Sequence, residues 1–324
     1  MHALGGRARR AAAALLVCLS LGGVAVLARP AAAQVRGTLV LQSDFGTRDG
    51  AVASMKGVAT GVDPSLRVHD LTHQIEPFDI WEGAYRLRQV TPFWPAGTVF
   101  VSIVDPGVGT ARLGVVARTR RGLLIVTPDN GTLTLIADEV VEVREIDLAR
   151  QRLPGSERSH TFHGRDVFAY VGARLAAGKV RFEDVGPSRG TEMVRLPVPV
   201  ARREGNALHG MVAMIDRPYG NLWTNIPAAM LDSMGWRVGD TLEVVVSQEG
   251  TERARIAAVP FVESFGQVAV GQPVAYLNSL LELAVALNQG SFAERHGVGA
   301  GPAWTIRVQW RGVDRREVRG PPSD

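Results

Sequence analysis

Cysteine is almost absent from this sequence, and lysine is nearly so. The single cysteine among the 324 residues is Cys18, which lies in an apolar N-terminal run. One thiol allows no disulfide within the chain. We expect Cys18 to be removed with that run, which also excludes a thiolate nucleophile or metal ligand from the rest of the protein. Lysine occurs only at Lys56 and Lys179, so arginine supplies almost all of the positive charge.

Aromatic residues are also scarce, at 6% of the chain, whereas hydrophobic residues make up 46%. No stripe of interleaved basic and aromatic residues occurs, so we expect no nucleic-acid partner despite the formal net charge of +4. No long apolar run follows residue 33, which excludes a membrane span after that point. The length and composition indicate a globular protein with one large domain or two ordinary ones.

The first 33 residues have the pattern of an export signal. Three arginines within residues 7–10 precede an apolar run, and small residues stand before Gln34. We predict a signal peptide that is cleaved near Ala33–Gln34, and an exported protein that is periplasmic or secreted and free of the membrane after cleavage. An uncleaved anchor is the alternative. This leader holds four arginines and no acidic residue, so the net charge of the remainder is zero.

Short apolar segments alternate with helix-like segments between residues 36 and 196. Thr38–Leu41 and Thr98–Val104 are typical of buried strands, and Val52–Val62 is typical of a helix. This alternation predicts an N-terminal α/β domain with an α/β/α layered arrangement and a central, mostly parallel sheet. Ligands bind beyond the carboxyl ends of such strands. Several polar residues follow the predicted strands: Asp44, Asp70, His73, Asp105, Asp129 and Asn130.

A second domain is predicted after residues 197–205, a proline-containing and charged linker. Residues 206–312 contain several predicted strands separated by turn signals, which favours a smaller, mainly β, barrel-like C-terminal domain. One apolar segment of that domain, Leu280–Asn288, is interpreted as a short helix.

Three loops carry residue types that suit catalysis or ligand binding. Asp105–Arg112 contains glycines that let the backbone approach a ligand closely, but it matches neither the P-loop nor the dinucleotide fingerprint. Thr161–Asp166 contains His163, a residue type that acts as a base near neutral pH. Asp216–Asn225 interleaves two aromatic residues with Asp and Asn, which suits stacking on a planar base. A plain turn, a surface histidine and a packed turn are the respective structural alternatives.

The seven histidines show no metal-binding spacing. One arrangement stays open as an alternative, in which Asp and His side chains from separate loops hold a hydrolytic metal. Its members would be Asp70, His73, Asp105 and His163.

Seven segments occur in the order seen in one protein family. They are Ser43–Thr47, Met55–Val58, Asp70–His73, Val104–Thr110, Pro128–Gly131, Thr161–Asp166 and Asp216–Asn225. On these segments the chain resembles the S-adenosyl-L-methionine hydroxide adenosyltransferases, relatives of the fluorinase and chlorinase, from about Leu39 to Trp310. The resemblance implies hydrolysis of S-adenosyl-L-methionine, with attack of water or hydroxide at C5′ to give adenosine and L-methionine. It implies no metal or other cofactor.

The resemblance assigns the catalytic roles to Asp105, Arg112 and His163, which would hold and activate the water. In the halogenases, Tyr typically stands at the position of Asp105, and a halide-binding Ser stands at the position of Gly164. Neither is present here, so the resemblance favours water over halide as the nucleophile.

The resemblance also implies a set of substrate contacts. Asp44 would bind the ribose hydroxyls. In the loop that begins at Asp216, the polar residues would bind the methionine end or the nearby ribose, and the aromatic residues would lie near the adenine and the sulfonium. The implied substrate-binding residues are Asp44, Phe78, Phe162, Asp216, Tyr219, Asn221, Trp223, Asn278 and Ser279. Two positions depart from the halogenases, which have Arg at the position of Leu280 and Trp at the position of Phe78.

Members of this family form trimers, with each site between the N-terminal domain of one subunit and the C-terminal domain of its neighbour. The resemblance therefore implies a homotrimer with a small-molecule substrate. Two functions of other classes stay open at this point, namely a non-catalytic exported protein that binds a nucleoside or adenosyl compound, and a metal-dependent hydrolase.

Overall fold

The computed structural model describes residues 37–313, so the predicted signal peptide lies outside the described residues. The strands of the N-terminal domain are Thr38–Ser43 (β1), Arg67–Thr72 (β2), Val99–Ile103 (β3), Gly114–Thr119 (β4), Leu124–Pro128 (β5) and Val140–Glu145 (β6). They form one sheet in the order β2-β1-β3-β5-β4-β6. The first four in this order are parallel, and β4 is antiparallel to both of its neighbours. The predicted mostly parallel sheet is confirmed.

Alternate residues of β1 pack against different helical layers. The helices of this domain are Ala51–Val62 (α1), Ile80–Val90 (α2), Leu148–Gln151 (α3) and Tyr170–Ala176 (α4), and a π-helical turn at Gly164–Ala169 leads into α4. Leu39 and Leu41 belong to the buried cluster that contains residues of α1 and α4. Val40 belongs to a second cluster, which contains Leu87 of α2. This division is the period-2 pattern of a strand covered on both faces.

The C-terminal domain is an antiparallel sheet of eight strands. These are Arg202–Glu204 (β7), Ala207–Asp216 (β8), Asn221–Pro227 (β9), Asp240–Gln248 (β10), Thr251–Pro260 (β11), Pro273–Leu277 (β12), Glu282–Leu287 (β13) and Trp304–Val313 (β14). The order is β11-β10-β14-β8-β9-β13-β12, with β7 on β8. A bridge between Phe261 and Ala275 brings the two ends of this order together, so the sheet is nearly closed, and the predicted barrel-like domain is confirmed.

The interpretation of Leu280–Asn288 as a helix is wrong. Glu282–Leu287 is strand β13, which pairs with β9 on one side and β12 on the other and is buried along its whole length. A segment covered on both faces is mostly apolar, as Leu283–Leu287 is, so its sequence lacks the alternation that marks a half-exposed strand. The helices of this domain lie elsewhere, at Ala228–Ser233 (α5) and Phe292–His296 (α6).

Helix α2 joins the two domains. The Trp81 indole Nε1 donates a hydrogen bond to the Ala213 carbonyl oxygen of β8 at 2.7 Å. Arg88 forms an ion pair with Glu282 of β13 at 2.8 Å. These two contacts hold the antiparallel sheet of the C-terminal domain against the α/β domain. Within residues 37–313, none of the helices has the length and apolar character needed to cross a membrane.

Candidate active site

Two predicted site carboxylates follow neighbouring parallel strands. Asp44 comes directly after β1, and Asp105 lies two residues beyond β3. Ser43 at the end of β1 pairs with Ile103 at the end of β3, so both carboxylates start from the same edge of the sheet. Burial raises the pKa of Asp105, and the negative charge of Asp44 adds to this effect. The prediction that polar residues meet at this edge is confirmed for this pair.

Arg112 binds Asp105 through a pair of hydrogen bonds. Its Nε donates to Asp105 Oδ1 at 2.9 Å, and its Nη2 donates to Oδ2. Both side chains are largely buried, with 10% and 6% of their surfaces exposed. The loop between them lies against the segment before His163, because a Cβ at Gly109 would be 3.1 Å from the His160 carbonyl oxygen. Gly109 also has a φ of +78°, which glycine adopts readily.

His163 lies immediately before the π-helical turn and is buried. Burial lowers the pKa of His163 below 6.5, and the positive charges of Arg112 and Arg152 lower it further. A neutral imidazole at pH 7 has a free lone pair and can accept a proton. The structure therefore pairs Asp105 with Arg112 and places Arg112 close enough to His163 for its charge to lower the pKa of that histidine.

Two phenylalanine rings pack at the same place. Phe45 follows Asp44 and meets Phe162 edge-on, with ring centroids 5.7 Å apart. A Cβ at Gly164 would lie 2.9 Å from the Phe45 ring, which is closer than real Cβ atoms approach. The ring of Phe45 thus occupies the space that a side chain at position 164 would need.

Phe78 lies beside Asp44. Its backbone N–H donates a hydrogen bond to Asp44 Oδ2 at 3.0 Å. The φ of Phe78 is +71°, in the left-handed region, and 71% of the residue is exposed. A large exposed ring on a strained backbone points to a role in contacting a ligand or another chain.

A second group of predicted residues lines a cavity of about 690 Å³ in the C-terminal domain. The end of β8, strand β9 and the segments that follow β12 and β13 form its walls. All six of the C-terminal residues that the sequence predicted line it: Asp216, Tyr219, Asn221, Trp223, Asn278 and Ser279. The volume lies within the range typical of small-molecule sites.

The cavity contains polar side chains that are held by hydrogen bonds to one another and to the backbone. Asn221 Nδ2 donates to Asp216 Oδ2 at 3.4 Å, and burial raises the pKa of Asp216. Asn278 Oδ1 accepts the backbone N–H groups of Leu280 at 2.9 Å and Glu282 at 3.1 Å. The Asn278 Nδ2 donors have no hydrogen-bond partner among the described residues. A buried donor without a partner is costly, so an acceptor on a ligand would stabilise this site.

Sequence reasoning missed part of the cavity wall. Phe265 and Tyr276 line it and contact each other with tilted rings whose centroids are 4.7 Å apart, and residues 287–291 line it as well. This second segment was missed because Leu280–Asn288 was predicted to be a helix. A strand there would have ended in a turn at Gln289–Gly290. The signal that could have found it was this turn dipeptide after an apolar run.

The predicted residues thus fall into two groups. None of the N-terminal residues Asp44, Phe78, Asp105, Arg112, Phe162 and His163 lines the C-terminal cavity. Asp70 and His73 belong to neither group, and they bind each other at 3.1 Å. Within residues 37–313, no three or more His, Cys, Asp or Glu side chains are grouped so that they could hold a metal ion. The alternative metal site of Asp70, His73, Asp105 and His163 is therefore not formed.

Known proteins resemble this chain in sequence and in fold. The SAM hydroxide adenosyltransferase N-terminal domain matches residues 39–186, and the C-terminal domain of the same family matches residues 210–305. An (R)-S-adenosyl-L-methionine hydrolase from Salinispora tropica is 37% identical over 261 residues, which covers 80% of this chain and 93% of the relative. A fluorinase from an Actinoplanes species is 30% identical over 292 residues, which covers 83% of this chain and 96% of the relative.

A solved structure extends the comparison to the fold. The crystal structure of an uncharacterized conserved protein from Thermotoga maritima superimposes with a TM-score of 0.77 at 32% identity, covering 84% of this chain and 99% of that one. Both family domains are matched, and the relatives are covered almost completely. This chain belongs to the SAM hydroxide adenosyltransferase family.

Proposed function

We propose that this protein is an S-adenosyl-L-methionine hydrolase that releases adenosine and L-methionine. The observation that carries the proposal is the buried His163, which lies close enough to Arg112 of the Asp105–Arg112 pair for the arginine charge to lower its pKa. The relative from Salinispora tropica that is named a hydrolase supports the same substrate and reaction.

The proposed reaction is a single displacement at C5′. The oxygen of a water molecule forms a bond to C5′ while the C5′–S bond breaks, and the bonding electron pair goes to sulfur. Sulfonium leaves as a neutral thioether, so no general acid is needed. The protein must place the water in line with the breaking bond and accept its proton. His163 accepts that proton, and methionine and adenosine leave with no net redox change.

Asp105 and Arg112 act on the same water. The Asp105 carboxylate orients it by accepting a hydrogen bond. Arg112 opposes the effect of burial on Asp105 and stabilises the negative charge that develops on the attacking oxygen. The proposed reaction uses only these side chains and needs no metal or organic cofactor.

Water is the proposed nucleophile in preference to a halide. The halogenases to which the chain is similar typically have Tyr and Ser where this chain has Asp105 and Gly164. The Phe45 ring lies where a Ser side chain at position 164 would extend. The identity to the named hydrolase, 37%, also exceeds the identity to the fluorinase, 30%.

The substrate would use both groups of residues. Asp44 binds the ribose hydroxyls, and Phe78 and Phe162 border the reacting carbon. The adenine and the methionine end occupy the cavity of the C-terminal domain. The residues proposed to hold them there are Asp216, Tyr219, Asn221, Trp223, Asn278 and Ser279.

We propose a homotrimer in which the N-terminal group of one subunit faces the cavity of its neighbour. The separation of the two groups within one chain supports it, as do the exposed rings of Phe78 and Tyr219, which are 71% and 66% exposed. Mixing two inactive variants tests the arrangement. Unfolding and refolding His163→Ala together with Asp216→Ala should restore roughly a quarter of the sites. If each site lay within one chain, the mixture would stay inactive.

We propose that the mature protein begins at Gln34 and works outside the cytosol. The arginine-rich and apolar leader supports this proposal. N-terminal sequencing of the protein from the periplasm or culture medium is the test, and an intact Met1 in that fraction would contradict it.

Product analysis tests the function. Purified protein from Gln34 onward is incubated with S-adenosyl-L-methionine, with and without chloride, and we expect adenosine and methionine in both cases. Asp105→Ala and His163→Ala should each lose about 10²-fold or more of the activity and still bind adenosine. His209→Ala is the matched control, because His209 lies on β8 and pairs with Glu204. Wild-type turnover from either catalytic variant would contradict the assignment.

The same assay separates the alternatives. Adenosine binding without any product would identify a binding protein. Activity that is lost in EDTA and restored by a divalent ion would identify a metal-dependent hydrolase.

A further inference from the structure

The segment Asp70–His73 belongs to neither group of site residues. His73 is only 3% exposed, and Ser43 is fully buried. Their side chains are part of a hydrogen-bonded chain that starts at Lys56 on α1, passes through Asp70 on β2 and His73, and ends at Ser43 on β1. The chain thus runs from the protein surface to the residue that immediately precedes Asp44.

The direction of every hydrogen bond in this chain is determined. Lys56 Nζ donates to Asp70 Oδ2 at 2.6 Å, and an ionised carboxylate accepts only, so His73 Nε2 must donate to Asp70 Oδ1 at 3.1 Å. Burial lowers the pKa of His73, which keeps the ring neutral at pH 7. Its Nδ1 must therefore accept, and the Ser43 hydroxyl donates to it at 2.7 Å.

The chain also holds the backbone on both sides of Asp44. The Ser43 Oγ accepts the backbone N–H of Phe45 at 3.3 Å, and the His73 carbonyl oxygen accepts that of Gly46 at 2.7 Å. Because Ser43 has no exposed surface, it cannot act as a nucleophile despite its contact with a histidine. This series of hydrogen bonds can affect a ligand only through the neighbouring carboxylate of Asp44.

We propose that His73 is a positioning residue that orients the Asp44 carboxylate toward the ribose hydroxyls of the ligand. This inference rests on the ribose contact of Asp44 in the proposed function. Asp44 Oδ2 already accepts the Phe78 N–H, and this bond restricts the orientation of the carboxylate. The bonds from Ser43 and His73 to the following backbone fix that orientation before the ligand arrives.

Two substitutions of His73 test separately the hydrogen bonds at the two nitrogens of its ring. In His73→Asn the amide oxygen lies near the place of Nδ1 and keeps the Ser43 bond. In His73→Gln the amide lies near the place of Nε2, which keeps the Asp70 bond and loses the Ser43 bond. Ser43→Ala removes the hydroxyl itself. His69→Gln is the matched control, since His69 is an exposed histidine on the same strand.

The measurement is the dissociation constant of adenosine and of 2′-deoxyadenosine by calorimetry. The wild type, His73→Asn and His69→Gln should prefer adenosine by about tenfold or more, because the hydrogen bonds to a charged group are retained. His73→Gln and Ser43→Ala should lose most of this preference and keep the affinity for 2′-deoxyadenosine. Thermal unfolding is followed in parallel to show that each variant is folded.

Several results would overturn the proposal. One is a wild-type preference for adenosine in folded His73→Gln and Ser43→Ala, and another is an equal loss of affinity for both nucleosides. Nitrogen-15 NMR of the unsubstituted protein gives a test that needs no variant, and a His73 ring protonated on both nitrogens at pH 7 would also overturn it. Absence of hydrolysis with the preference intact would count against the proposed function alone.

Discussion

Arg217 holds Glu82 between the two domains. Its Nη2 donates to Glu82 Oε2 at 2.8 Å, and its Nε donates to Oε1 at 3.2 Å. Glu82 lies on α2 and is only 2% exposed, whereas Arg217 follows Asp216 in the loop that lines the cavity. The bidentate pair therefore anchors one wall of the cavity to the α/β domain.

Arg217→Gln should destabilise the protein and weaken substrate binding. Glu82 would keep its bonds from Arg86, at 3.2 Å, and from the Glu76 backbone N–H, at 3.3 Å, and we expect the free energy of unfolding to fall by about 1–3 kcal/mol. Urea unfolding measures this, and the KM for S-adenosyl-L-methionine should rise. Arg181→Gln is the control, because the Arg181–Asp184 pair is exposed and contributes little.

A double variant tests the coupling. Glu82→Gln combined with Arg217→Gln should cost less than the sum of the two single changes, because neither charge is then left unpaired. Additive losses would show that the two residues act independently.

The fall of kcat/KM at acidic pH should reflect the protonation of His163. Burial and the charges of Arg112 and Arg152 lower its pKa, so kcat/KM should stay high below pH 6.5 and fall only as the pH drops through the lowered value. Arg152→Gln removes one positive charge and should move the fall of kcat/KM to a higher pH, closer to 6.5. Arg152→Lys should leave it in place. A fall at an unchanged pH in Arg152→Gln would contradict the prediction.

The same group affects stability. The unfolded chain binds the His163 proton more readily than the folded one, because the folded pKa is the lower of the two. Its contribution to the free energy of unfolding is therefore fully present above pH 6.5 and is lost as the pH falls toward the lowered pKa. The loss should be smaller in Arg152→Gln than in the wild type when unfolding is compared at pH 5 and pH 7.

Local patterns were sufficient to predict the parallel half of the N-terminal sheet. The alternation of strand and helix gave β1, α1 and β3, and the parallel order then placed Asp44 and Asp105 at one edge. The antiparallel strand β4 and its neighbour β6 were missed, and β13 was assigned wrongly. The pairings of β6 with β4 and of β13 with β9 join segments that lie far apart in the sequence, which no local window contains.

The site shows the same limit. His163 was identifiable as a residue type, and its pairing with Asp105 and Arg112 came from a family resemblance. Arg152 was not identifiable, because it reaches His163 only through a folded loop in which its Nη2 donates to the Ser159 carbonyl oxygen at 2.6 Å. The separation of the two groups of site residues also depends on how the two domains pack.

Gly164→Ser should not convert the protein into a halogenase. The new Cβ would lie 2.9 Å from the Phe45 ring, so the ring must move, and overpacking of this kind costs about 1–3 kcal/mol of the free energy of unfolding. We expect lower hydrolysis and no chlorinated nucleoside in the presence of chloride. Gly57→Ser on α1, where a Cβ meets nothing within 4 Å, is the control for stability. A chlorinated product would show that Phe45 moves aside at little cost.

Phe78→Gly should weaken substrate binding without lowering the stability of the protein. The φ of +71° strains any residue with a side chain, and glycine relieves that strain while adding freedom to the unfolded chain. We therefore expect the free energy of unfolding to stay constant or to rise by at most about 1 kcal/mol. The KM for S-adenosyl-L-methionine should rise by about tenfold or more, because an aromatic wall beside Asp44 is lost.

Phe78→Trp is the matched variant, because it keeps an aromatic ring on the same backbone. Its KM should stay near that of the wild type, and its stability should not improve. Urea unfolding and steady-state kinetics on the three proteins make the comparison. If Phe78→Gly lost stability and kept its KM, the ring would serve the fold, and the strain at this position would have no connection with the ligand.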